Sequence, residues 1–455
     1  MISMRKISKS VKKIISLNDI RILMQSCMWF APFNHCNFEQ NMKRLVIKNV
    51  GPIKNIDIEL KRFNFFIGAQ SSGKSTIAKI LSTCTWIEKE VATTLDTNAI
   101  STGEEFVELI EEFHKMSGYF EDSSEIIYET DAITLTYSNK SLNIVLKSGI
   151  NYFRQKICYI PAERNMVTLP ELQGFEFEST NLRSFLFDWF SARASYSPDN
   201  KSDILGLGVK YYYDKDEKSY KDRIEHINGK TYQIPLSSAS SGLQSIIPLL
   251  IMLQYYSDEY YRKYKRKTSF DDNDKELLLR KRLTDLLVIE PLYPEFNSAN
   301  RPYYIKEIHD QINVQNPKYI NALQEYQRAL RQLTVPTSTA FIVEEPEQNL
   351  FPYTQLEIIE TMVKLCTGSR QHGFTVTTHS PYIINLLNIL IARYYKGVES
   401  TCINPEELNV FSVQDGILIN QMQYNPTTEH SSVNIDELTE AMQAMYNEYR
   451  ELKRN

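Results

Sequence analysis

Glycine is scarce in this chain, long apolar stretches are missing, and neither sign of charge dominates. Only 15 of the 455 residues are glycine, so a glycine cluster marks a place where the backbone requires them. The run 246–253 is typical of the longest apolar stretches, whereas a membrane-spanning helix needs about 18 such residues. The formal net charge of −5 argues against a generally basic coat for nucleic acid, although it leaves room for a local basic stripe.

The cysteines show neither a C-x-x-C pair nor the spacing of zinc ligands. They are Cys27, Cys36, Cys84, Cys158, Cys366 and Cys402. Scattered cysteines of this kind are typical of reduced, buried thiols in a cytoplasmic protein. We therefore expect neither a structural disulfide nor a zinc site.

Residues 1–41 differ in character from the rest of the chain. They are basic at the start and lack the apolar core and cleavage site of a secretory signal. A regular strand pattern begins only after Met42. We hypothesise that Met42 is the native start and that 1–41 are an upstream over-call or a loose extension. An N-terminal sequence of the endogenous protein that begins at Met1 or Met4 would contradict this.

Hydrophobic periodicity predicts an α/β chain. The predicted strands are 45–50, 56–60, 63–67, two within 126–146, 156–160, 230–235, 339–343, 374–378 and 409–413. The predicted helices are 75–87, 246–267, 274–287, 318–333 and 436–452, with a further helical, acidic segment within 86–125. In residues 160–220, no hydrophobic pattern predicts a helix or a strand.

The strongest motif is a phosphate-loop sequence that follows a predicted strand and begins a predicted helix. Its residues, with the next one, are Gly68, Ala69, Gln70, Ser71, Ser72, Gly73, Lys74, Ser75 and Thr76. Such a loop wraps phosphates with backbone N–H groups at a helix N-terminus. Lys74 is expected to reach the β- and γ-phosphates, and the Ser75 hydroxyl is expected to bind Mg²⁺.

Two carboxylates follow the apolar strand 339–343. Glu344 is the candidate metal ligand, and Glu345 is the candidate base that deprotonates the attacking water. An acidic strand-to-loop junction without catalytic function is the alternative. The metal carboxylate at such sites is usually Asp, so the longer Glu344 departs from the pattern.

A histidine and a second serine-glycine loop complete the set. His379 follows the strand 374–378 and could contact the γ-phosphate, although a single histidine at a strand end also fits a structural role. Ser240, Ser241 and Gly242 precede a helix and form a second candidate anion site. Because the chain already has its phosphate loop, the second site is best explained as one that binds the ATP of another subunit.

Together these segments resemble the Walker A, signature, Walker B and switch-histidine motifs of ABC-type ATPases. The resemblance is closest to the RecF/SMC/OLD branch, to which 47–53 is similar, and to its compact AAA-15/AAA-21 group, which 159–165 and 344–352 resemble. The resemblance covers about residues 42–85, 156–167, 230–250 and 338–390.

This resemblance implies a P-loop NTPase head with a mixed or parallel core sheet, an antiparallel β-subdomain and a helical insertion. It also implies ATP and Mg²⁺ as cofactors and a homodimer, or a multiple of it, that closes on ATP. Ser241 and Gly242 would then complete the partner's site, and a D-loop would lie at 347–352. The family's Mg²⁺-sensing glutamine is missing near 160–165, where Glu163 or Arg164 would substitute.

The predicted organisation has five parts. These are an extension at 1–41, a first ATPase lobe at 42–245 with insertions at about 86–125 and 166–225, a helical insertion at 246–335, a second lobe at 336–425 and a tail helix at 426–455. The segments after His379 leave no room for the nuclease domain of OLD-type chains, and no H-N-H pattern occurs. Any nuclease is therefore expected to act through a partner chain.

The family resemblance leads to a bacterial antiphage ATPase, similar to those of Septu- or PARIS-type systems, that controls a separate effector. A RecF-like repair ATPase is the alternative, and a nucleotide used only as a structural clamp is a third. The basic, tyrosine-rich segment 260–267 could bind DNA by charge and stacking. It equally fits a solvated helix face.

Overall fold

The structure, a computed structural model, describes residues 42–169, 180–217, 221–264, 270–368, 370–398 and 401–454. The hypothesis about the native start concerns 1–41, which lie outside the described residues. Contacts divide the described chain into a unit formed by 42–279 with 331–454 and a second unit at 280–330. The second unit is helical and falls inside the segment that the sequence assigns to an insertion.

Most strands belong to one large sheet. In chain order the strands are β1 (Lys43–Val50), β2 (Ile53–Glu59), β3 (Phe63–Ile67), β4 (Phe120–Thr130), β5 (Ile133–Ser138), β6 (Ser141–Leu146), β7 (Gln155–Ile160), β8 (Ser202–Asp203), β9 (Val209–Tyr213), β10 (Asp222–His226), β11 (Tyr232–Pro235), β12 (Ser338–Glu344), β13 (Gly373–Thr378), β14 (Leu408–Gln414), β15 (Ile417–Asn420), β16 (Met422–Asn425) and β17 (His430–Val433). Among the described residues, the large sheet has the order β6-β5-β4-β1-β2-β15-β14-β3-β13-β12-β7. Strands β8–β11 form a small sheet of their own, and β16 pairs with β17.

The helices of at least three turns connect these strands. They are α1 (Lys74–Thr94), α2 (Gly103–His114), α3 (Asn181–Arg193), α4 (Ser241–Gln254), α5 (Phe270–Thr284), α6 (Arg301–Asn313), α7 (Pro317–Thr334), α8 (Pro352–Cys366), α9 (Pro381–Tyr395) and α10 (Asp436–Arg454).

The large sheet is parallel at its centre and antiparallel at one side. β14, β3, β13, β12 and β7 run parallel to one another, whereas β6, β5, β4, β1 and β2 form an antiparallel series. Between these two parts, β15 pairs antiparallel with β14 and parallel with β2. The central strands are buried on both faces, as parallel sheets require; in β3 every residue is buried. This confirms the predicted α/β class with a mixed core sheet, an antiparallel part and inserted helices.

The two faces of the central sheet are covered by different helices. On one face, Ala78 of α1 packs with Tyr159 and Ile342. On the other face, Phe65 and Val343 belong to a larger apolar cluster that includes the buried residues 246–253 of α4 and side chains of α8 and α9. α1 and α4, which follow the two candidate anion loops, therefore lie on opposite faces of one sheet.

Two expectations about the local structure of residues 86–146 are wrong in detail. The range 126–146 contains parts of three strands, and the acidic segment is helical only to His114 before β4 begins at Phe120. The acidic start of β4 is a strand because it pairs with β1, where Lys48 binds Glu125 at 3.2 Å.

The helix expected at 246–267 begins earlier and changes form. It starts at Ser241, and after Gln254 it continues as a π-helical turn, 255–259, and a short turn, 260–262. Residues 265–267 lie outside the described part. The range 160–220, which the sequence left unassigned, contains α3, β8 and β9.

Candidate nucleotide site

The carboxyl ends of three neighbouring parallel strands meet at one edge of the sheet. β13 lies between β3 and β12, with Ile67 beside Thr378 and Thr377 beside Glu344. Polar groups that follow such strand ends converge in the crevice outside the sheet. The structure thereby brings the phosphate loop after β3, the glutamate pair after β12 and the histidine after β13 to one place.

The phosphate loop requires glycine at its two ends. Gly68 has a φ of 143° and Gly73 a φ of 108°, which side chains rarely adopt. A Cβ on Gly68 would lie 2.7 Å from the carbonyl oxygen of Val413, and a Cβ on Gly73 would lie 2.4 Å from Cδ1 of Ile53. Between them, Ser71 also has a positive φ of 60°. The loop is therefore a tight backbone turn that leads into α1.

Gly73 precedes α1 as its N-cap and offers no side-chain hydrogen bond to it, so no capping side chain competes with an anion for the first-turn N–H groups. Ala69 and Gln70 are exposed on the loop, whereas Thr76 in the first turn of α1 is buried. Thr76 therefore belongs to the packed side of this turn.

Lys74 lies inside the loop. Its Nζ donates to the carbonyl oxygens of Gly68 at 3.0 Å and Ala69 at 2.7 Å, and to Oγ of Ser72 at 3.4 Å. Burial lowers the pKa of Lys74, while the carboxylates of Glu345 and Glu347 act in the opposite direction. The ammonium group is thus held inside the loop that the sequence predicts to bind phosphate.

Ser75 and Glu344 are brought together. Ser75 lies close enough to Glu344 to lower the pKa of its carboxyl group. The Glu344 carboxylate accepts hydrogen bonds from Oη of Tyr159 at 2.8 Å and from N of Ala162 at 3.4 Å. Burial raises the pKa of Glu344, and Tyr159, Lys79, Ser75 and Ala162 lower it. A buried carboxylate with this many donors is held in one orientation.

These oxygens fit Mg²⁺, which takes one or two protein carboxylates and completes its shell with phosphate and water. Among the described residues no cluster of three or more His, Cys, Asp or Glu side chains offers a separate metal cage. A hydroxyl and a carboxylate beside a phosphate loop need no such cage.

Glu345 and His379 face each other across the same edge. Oε1 of Glu345 lies 3.5 Å from Nε2 of His379, and both side chains are partly exposed. Glu345 has a φ of 44°, a left-handed conformation that is strained for this residue type. Its backbone N donates to the carbonyl oxygen of Thr377 at 2.8 Å, which fixes the turn directly after β12.

Glu347 is a site residue to which sequence reasoning gave no role of its own. Its Oε1 accepts from the backbone N of His379 at 2.6 Å, while its Oε2 is buried without a partner in the described residues. Burial raises the pKa of Glu347, and the His379 N–H acts against this. The signal in the sequence was a further carboxylate after Glu344 and Glu345, two residues beyond Glu345.

The serine-glycine loop is the start of α4. Oγ of Ser240 accepts from N of Leu243 at 3.5 Å, so Ser240 caps the helix. A Cβ on Gly242 would lie 3.0 Å from the carbonyl oxygen of Asn349, in the predicted D-loop. Among the described residues, no hydrogen bond joins Ser240, Ser241 or Gly242 to the phosphate loop of the same chain.

The substitute for the missing glutamine was predicted at Glu163 or Arg164. Glu163 is exposed. Arg164 is fully buried and binds the backbone carbonyls of Glu344 and Glu345, each at 2.8 Å. Arg164 therefore contacts the backbone of the candidate site, not its carboxylates.

The described part of the basic segment 260–267 is engaged in contacts within the chain. Tyr261 hydrogen-bonds Oγ1 of Thr339, and the Tyr260 ring lies 5.6 Å from the Tyr264 ring. Arg262 and Lys263 pair with Asp258 and Glu259 one turn earlier. These contacts favour the interpretation as a helix face over base stacking.

In the described part of the chain, no helix is both long and apolar enough to cross a membrane. The cysteines Cys84, Cys158 and Cys366 are buried free thiols, and Cys402 is a partly buried one.

No family model matches this chain, and no curated protein matches it. Among solved structures, it is similar to the SMC head domain from Thermotoga maritima, with a TM-score of 0.35 and 9% identity over 83% of this chain and 97% of that one. For the recombination mediator RecF with bound nucleotide the TM-score is 0.28, at 10% identity over 84% and 99% of the two chains. For a dimeric ATP-binding cassette with ADP and Pi it is 0.23, at 13% identity over 82% and 96%. All three TM-scores lie below 0.5, so these likenesses carry no argument about this chain.

Proposed function

We propose that this chain is an ABC-type ATPase, of which two copies close on ATP in the presence of Mg²⁺. The observation that supports this most strongly is the convergence of a lysine-bearing phosphate loop, a hydroxyl–carboxylate pair and a glutamate–histidine pair at one sheet edge. In phosphoryl transfer to water, the loop lysine binds the phosphates, the hydroxyl–carboxylate pair would hold Mg²⁺, and the glutamate–histidine pair acts on the attacking water and the γ-phosphate.

In the proposed reaction, Lys74 exchanges the loop carbonyls of Gly68 and Ala69 for oxygens of the β- and γ-phosphates. Ser75 and Glu344 would hold Mg²⁺, which neutralises phosphate charge when bound. Glu345 accepts a proton from the attacking water. His379 lies 3.5 Å from Glu345 and donates a hydrogen bond to the γ-phosphate. The position of the base Glu345 therefore depends on whether the γ-phosphate is bound.

The second half of each site comes from the other copy. Ser241 and Gly242 begin a helix on the face opposite to α1, so their N–H groups are proposed to bind the ATP of the partner. Closure would then need two ATP molecules, and hydrolysis would release the copies.

The test is the mass of the protein in solution with ATP and Mg²⁺, for wild type and Glu345→Gln. The glutamine cannot accept the proton, so we expect turnover to fall about 100-fold or more and the dimer to accumulate. Glu357→Gln, an exposed change of the same kind on α8, should behave as wild type. A Glu345→Gln chain that binds ATP but stays monomeric would refute the role of Ser241 and Gly242. Turnover that is unchanged in Glu345→Gln would mean that the bound nucleotide serves only as a structural clamp.

The biological role that we propose is a cytoplasmic sensor in bacterial antiphage defence, acting with a separate effector protein. It is supported by the motif resemblance at 159–165 and 344–352, which is an association rather than a physical derivation. Phage plating with the gene and its operon neighbours tests it: protection that is lost in Glu345→Gln supports the role, and no protection contradicts it. A RecF-like repair role predicts instead that the purified protein alone binds gapped DNA in a salt-sensitive way.

A further inference from the structure

Arg164 has an unusual set of partners for a buried cation. Its side chain is 0% exposed, and its hydrogen bonds go to backbone carbonyl oxygens. Nε donates to Ser245 at 3.1 Å, Nη1 to Glu344 at 2.8 Å and to Pro161 at 3.4 Å, and Nη2 to Glu345 at 2.8 Å. Burial lowers the pKa of Arg164 to about 10, so it stays charged at neutral pH.

These carbonyls belong to three separate segments. Pro161 follows β7, Glu344 ends β12 and Glu345 follows it, and Ser245 is the fifth residue of α4. Because a guanidinium is planar and rigid, its donors hold these segments in one relative position. Two of the segments carry candidate chemistry: the end of β12 carries the metal ligand and the base, and the start of α4 carries Ser241 and Gly242.

The bond to Glu345 has a specific consequence. Glu345 has a strained positive φ of 44°, and a strained conformation persists only where its surroundings over-determine it. Nη2 of Arg164 binds its carbonyl oxygen, and the carbonyl of Thr377 binds its N–H. Arg164 therefore helps to set the direction of the Glu345 carboxylate without touching it.

The side chain of Arg164 cannot be replaced conservatively. Lysine keeps the charge but has one nitrogen, which cannot reach the three segments in the geometry of a planar fork. In Arg164→Lys the backbone carbonyls would still face a cation, but the three segments would no longer be bound to one rigid group.

We propose that Arg164 is a positioning residue that couples the two ATP sites through each chain, by linking the Glu345 backbone to Ser245, near the start of α4. This inference rests on the proposed function. The end of β12 acts on the chain's own ATP, whereas the start of α4 acts on the partner's ATP. Displacement at either end is transmitted to the other because both are bound to one rigid group.

Mixed dimers with two affinity tags test the coupling. In one copy Lys74→Ala inactivates its own phosphate loop, and in the other Ser241→Arg blocks its signature loop. One intact site then remains, built from the loop of the second copy and the signature of the first. Arg164→Lys is placed in either copy in turn, and Arg183→Lys, an exposed change of the same kind on α3, is the control.

Coupling predicts that Arg164→Lys lowers kcat about tenfold or more in either copy, which corresponds to 1.4 kcal/mol of barrier, with ATP affinity changed less than about twofold. In the second copy it misplaces the base, and in the first it misplaces the signature loop. A loss only in the second copy would mean that Arg164 holds the base alone, and unchanged kcat in both would mean that it holds neither; either result overturns the proposal. Failure of the parent chain and the Arg183→Lys control to bind or hydrolyse ATP would instead refute the proposed function, and the coupling with it.

A second measurement decides the question if Arg164→Lys does not fold or the mixed dimer has no turnover. Hydrogen–deuterium exchange of the Ser241→Arg chain is followed at 243–247 with and without ATP and Mg²⁺. This chain cannot receive a partner's ATP, so a change of exchange in α4 reports its own site. A clear change on ATP addition supports the coupling, and identical exchange overturns it.

Discussion

Tyr159→Phe isolates the contribution of a single hydrogen bond to the candidate metal site. The Tyr159 hydroxyl donates to Oε1 of Glu344 at 2.8 Å, and both groups are buried. A hydrogen bond to a charged group contributes about 1.5–3 kcal/mol, and each 1.4 kcal/mol corresponds to about tenfold in an equilibrium constant. Because this bond is already present without the metal, only the part that orients the ligand affects metal binding, and loss of such a partner typically costs about 10- to 100-fold in metal affinity. We therefore expect the Mg²⁺ concentration for half-maximal turnover to rise roughly 10- to 100-fold, because the Glu344 carboxylate loses its fixed orientation.

The control for this change is Tyr212→Phe. Its hydroxyl also donates to a side chain, Oε1 of Gln233 at 2.9 Å, but this acceptor is a neutral amide in the small sheet. Tyr212→Phe should lower the free energy of unfolding by about 0.5–1.5 kcal/mol and leave the Mg²⁺ dependence unchanged. If ATP hydrolysis by Tyr159→Phe shows the Mg²⁺ dependence of wild type at saturating ATP, Glu344 does not hold the metal or Tyr159 does not orient it.

Two further predictions concern the loop and a buried histidine. Gly73→Ala should abolish detectable ATP binding in calorimetry, because Gly73 has a φ of 108° and a crowded Cβ position. The control Gly118→Ala, at a φ of 78° with open space around it, should bind ATP normally. Normal binding by Gly73→Ala would refute the assignment of the phosphate loop. Burial lowers the pKa of His372 to about 4, below the value of about 6.5 in an unfolded chain, and Arg370 and Arg62 act in the same direction. The unfolded state therefore binds more protons between these values, so the free energy of unfolding should fall as the pH drops from about 6.5 to 4. Urea titrations should show a shallower fall in His372→Gln, and an equal slope would mean that His372 does not contribute.

The central strands and the phosphate loop could be predicted because their signals are local. β3 was predicted with its observed bounds, Phe63–Ile67, since a short apolar run before a Gly/Ser loop has few alternatives. β12 and β13 were predicted to within one residue at either end. Once three parallel strands are adjacent, their carboxyl ends meet, and the placement of the phosphate loop beside the glutamate pair follows from topology.

The elements that escaped prediction owe their structure to distant contacts. The start of β4 is acidic and resembles a helix surface, but Glu125 pairs with Lys48 on the neighbouring strand. α3 has a mixed aromatic and polar sequence, and its buried face, which includes Phe185 and Trp189, is recognisable only with a known core. In both cases tertiary pairing outweighs local propensity.

The contacts of Arg164 could not be predicted from the sequence, for a different reason. A glutamine was expected near 160–165 because a metal-sensing side chain must carry a particular functional group, and such groups can be searched for by type. The structure places at that position a side chain whose acceptors are the carbonyls of Pro161, Ser245, Glu344 and Glu345. Every residue has a backbone carbonyl, so the partners of Arg164 leave no mark in the sequence. A contact that positions catalytic groups through the main chain can therefore be inferred only after the fold has brought the segments together.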